Sequence, residues 1–239
     1  MKRFSLLASF FVLTFFLNGS AQMYRWSGDS LPSSVSLRHY LMGGVSWIDV
    51  DDLNSRLDGL GLTEFSSHNL TVGYGWDMIY DRILTGGQVE ALLWRSNTDE
   101  GTKSTLWSGE LVINAGFQVL SSDKMFLYPI VGLGLGMTSL WVGAQQVPFG
   151  TALTTPANDN LYQFTMVINL GAGFDYMLPT WKGHKSCIVG VRAGYMFDPI
   201  RNTDWRREGT EVTGGPDVNL QGPYIQAILG KAMSWPKKK

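Results

Sequence analysis

The chain has 239 residues, of which 44% are apolar and 16% charged, with a formal charge of −1 at pH 7. Charged residues fall well short of the about 25% usual in soluble domains, and 28 glycines exceed an ordinary share of about 7%. The near-neutral balance gives no basic surface for nucleic acid. One cysteine, Cys187, excludes a disulfide framework or a cysteine-rich metal centre.

Lys2 and Arg3 precede an apolar run over residues 4–17, and Asn18-Gly19-Ser20-Ala21 supplies the small residues of a cleavage site. This pattern predicts a secretory signal peptide over residues 1–21, too short to be a comfortable membrane-spanning helix. Residues 22–34 read as a lead-in.

Beyond Ala21 no apolar stretch approaches 18 residues, which excludes a helical membrane protein. Period-two alternation recurs instead. Leu70, Val72, Tyr74, Trp76 and Met78 share one face, opposed by Thr71, Gly73, Gly75 and Asp77. The run from Phe164 to Tyr176 alternates seven times, against Gln163, Thr165, Asn169, Gly171, Gly173 and Asp175. Residues 111–119 and 187–197 follow suit. Eight such segments are expected, at about 36–48, 68–80, 82–95, 105–120, 124–142, 162–177, 186–198 and 220–232. Short connections alternate strictly with long ones at 49–67, 96–104, 143–161 and 199–219. Each segment is long enough to cross a bilayer as a tilted strand, which takes about 9–11 residues.

This architecture resembles the small eight-stranded outer-membrane β-barrels of Gram-negative bacteria, the kind typified by OmpX and the barrel of OmpA. The resemblance covers nearly all of residues 35–232 and implies an all-β fold: a closed antiparallel up-and-down barrel with short periplasmic turns and longer extracellular loops. It also implies residence in the outer membrane, contact with lipid and lipopolysaccharide, and insertion by the barrel-assembly machinery. The chain departs from the pattern by ending in Trp235-Pro236-Lys237-Lys238-Lys239 rather than an aromatic residue; residues 233–239 read as a basic tail. A narrow barrel needs small or mutually bonded residues inside, and most strand glycines have the polar, inward parity. Trp47, Trp107, Trp141, Phe164 and Tyr195 are expected as interfacial aromatics toward the long loops, with Tyr176 toward the short turns. Trp94 has inward parity and fits only if a bulge intervenes.

Inward parity also brings candidate chemistry together. Symmetry about residue 100 places Glu90 opposite Glu110, close enough to repel, so a cation is expected nearby. Arg192 is the first choice and Arg38 the second, forming a lumen ion-pair network that plugs the barrel. Elsewhere, Ser66-Ser67-His68 at the outer rim, with Asp49, Asp51 or Asp52, and His184-Lys185-Ser186 at the inner end are weak hydrolase candidates. Asp49, Asp51 and Asp52 lack the glycine and distal glutamate of a calcium loop. With Leu53, Leu57 and Leu60 they instead suggest a short helix capped by Asp51 or Asp52. The expectation is a monomeric, non-enzymatic barrel without metal or cofactor, binding no nucleic acid, with a structural, adhesive or surface-interaction role. The alternatives are a narrow pore for small solutes and an outer-leaflet lipid-modifying enzyme.

Overall fold

The computed structural model describes residues 35–99, 101–122, 124–144, 158–179, 185–200, 204–207 and 209–235. The expected signal peptide and lead-in, and residues 236–239 of the expected tail, lie outside them. In chain order the elements are β1 (Val35–Trp47), α1 (Asp51–Asp58), β2 (His68–Tyr80), β3 (Ile83–Asp99), β4 (Thr102–Phe117), β5 (Leu120–Ser121), β6 (Met125–Ala144), β7 (Asn158–Pro179), β8 (Lys185–Phe197), β9 (Trp205–Arg207), β10 (Thr210–Val212) and β11 (Gly222–Trp235).

Eight of these strands close on themselves. β1, β2, β3, β4, β6, β7, β8 and β11 each pair antiparallel with the next, and β11 returns to β1 from Val35↔Trp235 to Ser46↔Tyr224. The fold is all-β, a closed antiparallel barrel. The turn between β2 and β3 is tight enough to hold Asp81 at φ 53°, a left-handed conformation that aspartate tolerates better than most residues.

Alternation sets the two faces. Leu70, Ile113, Leu133, Leu135, Leu170 and Leu229 are exposed on the outer wall. Asn69, Asp77, Gln88, Asn114, Gln163 and Gln226 are buried inside it. This inversion of the soluble pattern gives an apolar outer belt around a polar interior. Three lumen tyrosines lie over glycines on the neighbouring strand: Tyr40 opposite Gly75, Tyr128 opposite Gly173 and Tyr224 opposite Gly194. A Cβ at any of these glycines would collide with the tyrosine ring or its hydroxyl. The glycines are therefore sockets for interior rings, as well as small residues in a narrow tube.

Several expectations change in detail. The connection at 96–104 is a continuation of β3 and β4, a hairpin that turns at Gly101 with φ 87°. The paired strands β6 and β7 likewise reach Gly143↔Asn158, and the 199–219 connection carries the small hairpin β9–β10. Backbone pairing continues along these extensions, so strand alternation alone does not mark where the apolar belt stops. The sheet also holds a bulge in β3 between Leu92 and Arg95, beside Trp94. α1 is not capped by Asp51 or Asp52, which sit in its first turn; Val50 is the N-cap and no side chain caps it. Leu53 and Leu57 are buried, but Leu60 lies past the helix end and is exposed. β11 takes up residues 233–235, so the tail starts later than expected.

Val191 faces outward at the middle of β8. Val191→Arg should lower stability by about 2–4 kcal/mol, the cost of a charge facing lipid near the midplane, as measured by reversible unfolding in vesicles. A value near zero would place the residue away from hydrocarbon.

Candidate functional site: a layered, closed lumen

The layer nearest the short turns is ionic. Arg38 (β1) donates through Nη1 to Asp175 Oδ2 (β7) at 2.7 Å, and Arg192 (β8) donates through Nη2 to Asp77 Oδ2 (β2) at 2.7 Å. All four side chains are almost wholly buried. Each pair joins strands three places apart around the circle, so both salt bridges span the lumen. Tyr40 Oη donates to Asp77 Oδ1 at 3.1 Å and Tyr128 Oη to Asp175 Oδ2 at 2.9 Å. The Arg192 guanidinium lies 4.5 Å from the Tyr40 ring centroid, and that of Arg38 lies 4.6 Å from Phe126. Buried ions persist where geometry and extra hydrogen bonds offset their desolvation, and aromatic faces add a cation–π term.

The expected sharing of Arg192 by Glu90 and Glu110 does not occur. The two glutamates do stand directly opposite each other, at Glu90↔Glu110 in the β3–β4 register, and both are buried. Arg192 instead turns toward Asp77, where two tyrosine rings flank it. Its register neighbour Gln226 reaches the acids, with Nε2 donating to Glu90 Oε2 at 2.6 Å. Among the described residues no cation pairs with either glutamate, and Glu110 Oε1 is buried without a hydrogen-bond partner. A cavity of about 10 Å³, room for one water molecule, lies against Ser46, Glu90, Glu110 and Tyr224. Beside it an amide chain crosses the lumen: Tyr224 Oη donates to Asn169 Oδ1, Asn169 Nδ2 to Asn114 Oδ1, and Asn114 Nδ2 to Gln88 Oε1.

Above the acids the lumen turns apolar. Leu92, Leu106, Leu140, Val167 and Met196 from the barrel meet Val50, Leu53, Leu57 and Phe65 from the first long connection, and Trp205, Val218 and Leu220 from the last. Trp205 is almost fully buried, and its Nε1 donates to Pro216 O at 2.6 Å. This is a small hydrophobic core closing the mouth.

The loops are also tied to one another. Asp49 and Asn219 exchange backbone hydrogen bonds, and Asp217 N donates to Asp52 Oδ2 at 2.8 Å. Asn54 holds Phe65 through both its amide groups, and Asn97 Nδ2 on the β3–β4 hairpin donates to Glu64 O at 2.9 Å. At the edge of this cap Asp198 accepts a hydrogen bond from Thr165 Oγ1, and burial pushes its carboxyl above the usual aspartate range.

The expected interfacial aromatics all lie on outward positions. Trp47 packs on His68 with ring centroids 5.3 Å apart, Trp107 and Trp141 lie opposite Ser139 and Asn160, Phe164 meets Tyr162, and Tyr195 meets Phe197 at 4.6 Å. Tyr176 stands opposite Met125 near the short turns. His68 Nδ1 lies 3.3 Å from Ser67 Oγ, but no carboxylate contacts His68 among the described residues. His184 falls outside them. No group of three or more His, Cys, Asp or Glu side chains that could hold a metal occurs among the described residues. Asp77 and Asp175 are not singled out by sequence reading, although both have inward parity. Asp77 stands opposite Arg38 in the β1–β2 register, but β1 and β2 are joined by a long connection that fixes no register in the sequence, and Arg38 bonds Asp175 instead.

A closed eight-stranded sheet with an apolar outer belt, a polar bonded interior and aromatics flanking that belt is a transmembrane β-barrel of the outer-membrane type. No family model matches the chain, and no curated protein matches it. Among solved structures it is similar to Ail, the attachment invasion locus protein of Yersinia pestis (11% identity, TM-score 0.42, covering 86% of this chain and 100% of that one). It is also similar to a major outer membrane protein of Thermus thermophilus (10% identity, TM-score 0.46, covering 83% and 99%) and to the outer membrane protease OmpT of Escherichia coli (8% identity, TM-score 0.39, covering 87% and 99%). Likeness at this level bears on fold alone; the class is defined by the closed sheet and its two faces.

Two outcomes separate the ionic layers. Arg192→Leu strands Asp77 and should cost about 3–5 kcal/mol. Glu110→Gln keeps the shape of a buried carboxyl that has no cationic partner among the described residues, and should leave stability unchanged or raise it; urea midpoints of the two variants refolded in one detergent check this. For Asp198 the folded carboxyl holds its proton more tightly than the unfolded one. The stability this contributes is full below the unfolded value of about 3.9 and is lost as pH rises through the higher folded value. Asp198→Asn should flatten that dependence, as seen by thermal unfolding from pH 3 upward.

Proposed function

We propose that this barrel is a closed, non-enzymatic scaffold that presents an ordered surface at the outside of the outer membrane, with a structural or adhesive role. The observation that carries the reading is the double seal. The crossed salt bridges fill one level of the lumen, and the loops that build the apolar core fill another. Those same loops are bonded to each other and to the β3–β4 hairpin, so among the described residues these three segments form one platform rather than separate strings. Ordered loops suit recognition, because little conformational entropy remains to be lost on contact. Among the described residues no set of nucleophile, base and orienting acid supports the lipid-modifying alternative. A pore would need both seals to be open.

The test joins conductance to topology. Refolded protein in planar bilayers should show no reproducible conductance steps; steady unitary steps would reject the sealed barrel and promote the pore. In a Cys187→Ser background, Gly101→Cys should react with a membrane-impermeant maleimide on intact cells, and Asp81→Cys should not. The reverse pattern would overturn the orientation and with it the surface role.

A further inference from the structure

Among the described residues, a charged side chain interrupts the apolar belt on β11. Lys231 on β11 is exposed, and it stands directly opposite His39 on β1, which in turn stands opposite Trp76 on β2. All three positions have outward parity. His39 Nδ1 and Tyr74 Oη are 2.6 Å apart, the two rings are stacked with centroids 6.2 Å apart at 16°, and Tyr74 and Trp76 lie 6.2 Å apart. The result is a cation, a hydrogen-bonded imidazole, a phenol and an indole on three adjacent strands.

The depth of this row sets its meaning. On its short-turn side the next outward positions are Met233, Leu37 and Met78, and on the other side Leu229, Leu41 and Tyr74. A further register row, Trp235, Val35 and Tyr80, ends the strands, so Lys231, His39 and Trp76 sit two two-residue steps from the strand ends, roughly 13 Å along the tilted strands. A lysine there must extend its ammonium back toward the headgroups rather than rest in hydrocarbon. With Tyr74 donating to Nδ1, the imidazole keeps its proton on Nε2 and offers a second donor. Trp76 supplies the amphipathic ring that favours the same level of the bilayer.

We propose that Lys231, His39, Tyr74 and Trp76 form a binding site for one anionic phospholipid of the periplasmic leaflet, with Lys231 and His39 Nε2 on its phosphate and the apolar residues around them on its acyl chains. The choice of a lipid over a second copy of this chain follows from charge. The described outward side chains neighbouring the row on β11, β1 and β2 are apolar or aromatic, so an identical wall would bring no anion to Lys231. A phosphodiester with two acyl chains matches both the cation and the apolar rows on either side of it.

The experiment is native mass spectrometry of the refolded mature chain in micelles doped with dioleoyl phosphatidylglycerol or dioleoyl phosphatidylcholine. Wild type should retain one phosphatidylglycerol about fivefold better than phosphatidylcholine, the worth of one lysine near an anionic headgroup. Lys231→Met should erase that preference, Lys231→Arg should keep it, and His39→Phe should weaken it. Heat-modifiable migration of every variant shows that the barrel is folded, and Lys231→Met adds no charge to the wall. Equal retention of the two lipids, or an unchanged preference in Lys231→Met, would overturn the site. Displacement of phosphatidylglycerol by inorganic phosphate alone would make it a general anion site instead, and a dimer that excludes lipid would make it a contact between copies.

Discussion

A sheet surrounded by hydrocarbon cannot leave an edge, because no water is present to take its unpaired N–H and C=O groups. The pairing of β11 with β1 over twelve register positions meets that demand, and the rest of the molecule follows from it. Once closed, eight strands enclose a tube narrow enough for side chains to fill nearly all of it. Most inward residues are small, apolar or bonded across the lumen, and Glu110 is a marked exception. The tyrosine–glycine sockets show how tightly this is met: Tyr40, Tyr128 and Tyr224 each gain room because the facing strand gives up a side chain.

The lumen is consequently stratified. Charges are neutralised in pairs near the periplasmic turns, amides and the two glutamates occupy the middle, and aliphatic and aromatic side chains close the outer mouth. The order has a physical sense. The long connections can bring a helix and a tryptophan over the mouth, whereas the short turns have too few residues to cover anything. The inner end is therefore closed by side chains of the wall itself, and arginine and aspartate are long and attractive enough to meet from opposite sides.

Most of this fold is legible from alternation. The faces of β2, β4, β7 and β8, the direction of the glycines and the opposition of Glu90 and Glu110 all follow from a period of two and a hairpin centre. What alternation cannot carry is contact across the lumen. Parity puts Arg38, Asp77, Asp175 and Arg192 inside but says nothing about which partner each will take, because that choice depends on strand tilt and on the rings lying between them. Arg192 lies beside Gln226 in register, yet the amide goes to Glu90 and the guanidinium to Asp77. Strand ends escape the pattern for a related reason: backbone pairing continues past the apolar belt wherever both strands have partners, as at residues 96–104. The cap is hinted at by Leu53 and Leu57, but its other half, Trp205 with Val218 and Leu220, comes from a connection with no helical or strand period to announce it.

The crossed salt bridges also bear on how the chain assembles. Arg38 and Asp175 are 137 residues apart, and Asp77 and Arg192 are 115 apart. Neither bond can form in a nascent half-barrel, whose neighbouring hairpins are still settling their own register. Until β7 and β8 arrive, Arg38 and Asp77 face an open trough that must stay hydrated, and Asp175 and Arg192 join it only with the late strands. Dehydration of that trough and docking of the last strands are thus a single cooperative event, and the quartet acts as a latch that rewards only the finished ring. An incomplete ring keeps its water and its charge, which marks it as unfinished to whatever environment it meets.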